Sequence, residues 1–163
     1  MSLLATPISF RAMSVSRTAA GIRVGIVAAA ATIGAVIGLG LRHGLALRPF
    51  MTAGNAVLEK VGIAASLGVL SAIVGLTMVT VAIIVLGVCF TVVAAPLRGL
   101  RLLIAACVFG AIGWAVSAYV VPSILVLSNE TVLGTAQRVF VCALLALGLV
   151  AGMRLARPTL RVE

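Results

Sequence analysis

Few side chains in this chain can do chemistry, and their spacing narrows that chemistry further. His43 is the single histidine and follows an apolar run in Leu41-Arg42-His43-Gly44. At a membrane edge, an imidazole nitrogen can ligate a haem iron or a chlorophyll magnesium. A lone His supplies one such ligand, and the bland alternative is a solvated loop residue. Cys89, Cys107 and Cys142 fall singly in separate apolar runs, with no CxxC pair and an odd count. That pattern opposes a redox dithiol, a zinc site and a disulfide framework. The three thiols read as small apolar side chains.

The acids are Glu59, Glu130 and Glu163, and there is no Asp. None lies inside an apolar run, so no embedded carboxylate is present to couple a proton to transport. The sequence also lacks a carboxylate pair for hydrolysis, a nucleophile–base pairing and a Gly-rich loop to cradle phosphate. This inventory predicts a protein that is not an enzyme. Arg138 is the one charge that can fall within the membrane. If its helix starts near Thr131, Arg138 lies about 10 Å down it. There it would pair with a partner's carboxylate, an anionic lipid or a cofactor. If residues 129–137 are a loop, Arg138 instead snorkels at the interface.

The elements that must carry these residues follow from composition. The chain has 163 residues, 63% hydrophobic and 9% charged, with a mean hydropathy of +1.34. Soluble domains hold about 25% charged residues, and a surface facing water cannot be covered with so few. The class expected is an all-α integral membrane protein. Uncharged runs span residues 24–41, 61–97, 102–128 and 139–153. A crossing takes about 20 helical residues, so the first, third and fourth runs fit one helix each. The second run is too long for one straight crossing, yet residues 74–78 offer no turn chemistry to divide it. Open turn carbonyls facing lipid would be costly. The expectation is therefore four transmembrane helices, at about 24–41, 61–97, 102–127 and 135–156, with an unusually long, tilted second helix. Thr52 or Asn55 would cap its start and Pro96 would mark its end. Residues 157–163 form a short tail.

Topology follows from the bases. With four spans, Arg11, Arg17, Arg23, Arg98, Arg101, Arg154, Arg157 and Arg161 share one side, against Arg42, Arg48, Lys60 and Arg138 on the other. This asymmetry predicts both termini in the cytoplasm. It also accounts for the net charge of +9 without nucleic acid, because the bases sit at the ends of apolar runs. Residues 1–23 are acid-free and rich in Ser, Thr and Arg, the composition of an organellar transit peptide. The alternative is a cytoplasmic interfacial arm with Ile8, Phe10 and Met13 dipping into lipid. A bacterial inner membrane is expected, with the mitochondrial inner membrane as the alternative.

The strongest pattern is small residues at four-residue spacing. Gly34 and Gly38 form GxxxG in the first run, and Gly148 and Gly152 form another in the fourth. Ala64, Gly68 and Ala72 extend such a stripe along the second run, and Ala106 with Gly110 along the third. Lipid gives no hydrophobic push between helices, so close backbone contact has to hold them together. Such faces serve either packing within the chain or docking on a partner. With aromatics at 4%, there is almost no interfacial belt, which fits a surface largely facing protein. The leading expectation is a non-catalytic accessory or scaffold subunit of a larger membrane complex of respiratory or photosynthetic type. Its partners would be other membrane subunits and the bilayer, with no nucleic acid and no soluble substrate. The alternative is a self-assembling channel or passive carrier, with Ser71, Thr77, Thr80 and Thr91 lining a pore. A third reading is a pigment- or lipid-binding anchor contacting haem, pigment or lipid at His43 or Arg138.

Overall fold

A computed structural model describes residues 8–42, 44, 47–63, 68–116 and 135–160. Five helices make up the described fold, and no strand occurs among these residues. They are α1 (Ile8–Arg42), α2 (Arg48–Lys60), α3 (Gly68–Ala94), α4 (Leu100–Ala115) and α5 (Thr135–Leu160). Helix α3 is rich in Val, Ile and Thr, which favour strands in water. In an apolar medium each backbone N–H needs a partner within its own segment, and that requirement overrides side-chain propensity.

Three helical stretches are long and apolar enough to cross a membrane: Arg17–Arg42, Gly68–Ala94 and Ala136–Ala156. Four were expected. The third expected span is represented by α4, an apolar helix of 16 residues, or about 24 Å. The remainder of that run, with Tyr119 and Pro122, lies outside the described residues.

The long second helix is corrected. Residues 61–97 are not one helix, because the chain turns at its start. Val61 and Gly62 follow the end of α2, and Gly62 has φ 78°. The Gly62 N–H donates to the Glu59 carbonyl (3.0 Å) and the Ile63 N–H to the Leu58 carbonyl (3.0 Å). Those two bonds form a Schellman cap, which closes a helix with Gly in the left-handed conformation. Residues 48–60 thus form a separate helix. Thr52 and Asn55 lie inside it and cap nothing, and the Thr52 hydroxyl donates to the Arg48 carbonyl (2.9 Å). Pro49 sits in the first turn of α2, where its missing N–H costs nothing. Helix α3 ends at Ala94, two residues before Pro96. The unusual length belongs to α1, whose 35 residues run through Arg17 and Arg23 without a break. Charges bound an apolar run, but they do not end a helix.

The packing pairs set the directions. Gly21 lies against Val88 and Gly25 against Ile84, so α1 and α3 are antiparallel. Gly148 lies against Ala28 and Gly152 against Val24, so α1 and α5 are antiparallel as well. Phe90 meets Phe109 edge-on, with centroids 5.4 Å apart, and Gly113 meets Leu86, which makes α4 antiparallel to α3. Helix α2 folds back on the first half of α3. The N-terminal end of α1, the α3–α4 connection and the C-terminal end of α5 therefore share one end of the bundle. Exposed Arg17, Arg23, Arg98, Arg101 and Arg154 mark that end. Arg42, Lys60 and Arg138 mark the other. Val24, Phe90, Leu149 and Met153 form the centre of the core, each fully buried.

Candidate functional site

Glycines hold this fold together, and their surroundings separate used faces from unused ones. A Cβ on Gly87 would lie 2.5 Å from the Gly25 Cα, and one on Gly25 would lie 2.6 Å from the Ile84 Cα. Only hydrogen at these positions lets α1 and α3 touch backbone to backbone. Gly54 and Gly75 do the same for α2 and α3, where added Cβ atoms would collide with the carbonyls of Ser71 and Phe50. Gly148 and Gly152 face α1, each 2.8 Å from a Cα atom by the same measure. Gly110 faces Cys142 and Ala146 of α5, and Ala106 beside it is fully buried. Gly68 meets only the end of Met51, and Ala72 is half-buried. Ala64 lies outside the described residues.

Gly34 and Gly38 differ from all of these. Among the described residues, nothing comes within 4 Å of a Cβ at either position. They form an open stripe on the second half of α1, beyond its crossings with α3 and α5. Beside it runs a groove of about 400 Å³ between α1 and α5. Ala31, Ala35, Gly38 and Leu39 line one wall, and Phe140 and Leu144 the other. Arg42 closes one end. There the large Phe140 and Leu144 of α5 face mostly small side chains on α1.

Arg138 lies in the first turn of α5 and is half-buried. It sits at the same end of the helix pair as Arg42. His43 and Glu130 lie outside the described residues. The three cysteines are on different helices and unbridged, with Cys89 and Cys107 exposed. Among the described residues, no three His, Cys, Asp or Glu side chains converge. The hydroxyls named as pore candidates do not share one lining. Ser71 and Thr91 are buried, Thr80 is half-buried and Thr77 is exposed. Thr91 donates to the Gly87 carbonyl (2.8 Å), Thr80 to Leu76 (2.7 Å) and Ser71 to Gly68 (3.0 Å). Each of these three bonds stays within its own helix.

Gly21-Ile22-Arg23-Val24-Gly25 is a further GxxxG, hidden from hydropathy because Arg23 falls at the edge of the apolar run. The pairing of Gly54 with α3 was missed because α2 was not expected. Its signal is the stripe Phe50, Gly54 and Leu58 at four-residue spacing, and all three are buried.

No family model, curated protein or solved structure matches the chain.

Proposed function

We propose that this chain is a non-catalytic accessory subunit of a larger integral-membrane complex and docks on a partner helix through the Gly34–Gly38 face of α1. The open stripe carries this reading. An interior Gly costs a helix about 1 kcal/mol relative to Ala. The glycines at positions 21, 25, 54, 75, 87, 148 and 152 recover that cost through backbone contact. Gly34 and Gly38 recover nothing among the described residues, and lipid tails pack no better on Gly than on Leu. Another backbone would. The clustering of arginines at the end holding the start of α1 and the end of α5 supports a cytoplasmic placement of that end, in a bacterial inner membrane or its mitochondrial counterpart.

The experiment is isolation of the native assembly in mild detergent, with the wild type beside Gly34→Leu. The wild type should migrate with larger subunits. Gly34→Leu should fold normally and migrate alone. A wild type that runs as a stable monomer, or a Gly34→Leu chain that keeps its partners, refutes the docking face. Labelling of single cysteines placed near Arg17 and Arg154 should occur only from the cytoplasmic side, and labelling from the outside refutes the orientation.

A further inference from the structure

We infer that the groove between α1 and α5 seats one acyl chain of an anionic phospholipid, with the lipid phosphate held at Arg42. This inference depends on membrane insertion but not on the partner. The groove extends along α1 from Ala31 to Arg42, which at 1.5 Å per residue is about 16 Å. One leaflet of hydrocarbon is about 15 Å deep, half of the bilayer core. A chain lying in the groove therefore runs from headgroup level to the midplane. Among the described residues, every lining side chain but Arg42 is apolar, and Arg42 is placed where the headgroup would be.

Size separates this occupant from a helix. A helix is at least about 10 Å across, so 16 Å of it fills about 1,200 Å³. The groove offers about 400 Å³. A helix can lie across its mouth but cannot enter it. Charge separates an anionic headgroup from a zwitterionic one. Among the described residues, no acidic side chain lines the groove. The helix dipoles decide nothing here, because the negative end of α1 lies beside the positive end of α5. Both lipids offer a phosphate to the forked guanidinium, but the zwitterionic one also brings a choline cation beside Arg42, and that like-charge repulsion favours the anionic lipid about tenfold or more.

Gly34 does not line the groove, whereas Gly38 does, so the lipid seat and the proposed docking face meet at Gly38 and can be tested apart. The full chain is delipidated in detergent, and retention of added phosphatidylglycerol or phosphatidylcholine is measured by native mass spectrometry. Inorganic phosphate serves as the competitor. The wild type should retain one phosphatidylglycerol at least about tenfold more tightly than phosphatidylcholine, undisturbed by millimolar phosphate. Arg42→Gln should abolish the preference, and Ala35→Leu, which fills the groove, should release both lipids. Gly34→Leu should retain the lipid even where it loses a partner. Equal retention of the two lipids by the wild type overturns the proposal. So does a preference that survives Arg42→Gln, retention that survives Ala35→Leu, or displacement by phosphate alone.

Discussion

Replacing Gly87 with Ala tests whether backbone contact holds α1 to α3. A Cβ there would sit 2.5 Å from the Gly25 Cα and 2.6 Å from its nitrogen, whereas ordinary contact begins at 3.4 Å. To accept it the helices must separate locally by 3.4 − 2.5, or about 0.9 Å. No flexible side chain can yield instead, because the obstructing atoms are main chain. A gap of this size forfeits about a quarter to a half of the attraction of each atom pair across the crossing. Overpacking of this kind costs about 1–3 kcal/mol. The substitution also gains helix propensity, about 1 kcal/mol, which blurs a single measurement. Gly34→Ala removes the ambiguity. It makes the same chemical change in mid-helix, with nothing among the described residues within 4 Å to obstruct it. The propensity gain cancels between the two variants, and their difference isolates the crossing. Reversible unfolding in mixed micelles should place Gly87→Ala about 1–3 kcal/mol below Gly34→Ala. A difference under about 0.5 kcal/mol would mean that the crossing is not held by close backbone contact.

Two further outcomes follow from single residues. Gly62 has φ 78° and open space around its Cα, so Gly62→Ala tests conformation alone. It should destabilise the α2–α3 hairpin by about 1–2 kcal/mol, seen as faster proteolysis between residues 60 and 68, and unchanged cleavage would argue against the Schellman cap. The Asn55 Oδ1 is buried in α2 with no hydrogen-bond donor. An orphaned acceptor costs about 1–3 kcal/mol, so Asn55→Leu, similar in shape, should leave thermal stability unchanged or raise it. A fall would show that the amide is satisfied once the protein is in its bilayer.

Hydropathy and charge were enough to read an all-helical, apolar chain, but not the number of its helices. Residues 24–41, 61–97 and 139–153 are apolar without interruption, and in a medium that offers no hydrogen bonds such segments have one backbone solution. Their ends were less legible. Arg23 bounded a run without bounding a helix, since an arginine can stay helical while its head reaches the interface. Lys60-Val61-Gly62 ended a helix although no Pro or Gly pair announced it, since one Gly at positive φ is enough to close a Schellman motif.

The division between sequence and tertiary structure is sharpest at the glycines. The sequence alone set the class of molecule and placed small residues at intervals that line up on helix faces. Gly34/Gly38 and Gly148/Gly152 carry the same motif in the same kind of helix, and nothing local distinguishes them. Only the assembled bundle does. The second pair meets α1, while the first pair meets nothing within 4 Å among the described residues, because α3 and α5 cross α1 nearer its start. A spacing rule fixes which residues share a face. What that face touches depends on where every other helix goes, and that is a property of the whole packing rather than of any one segment.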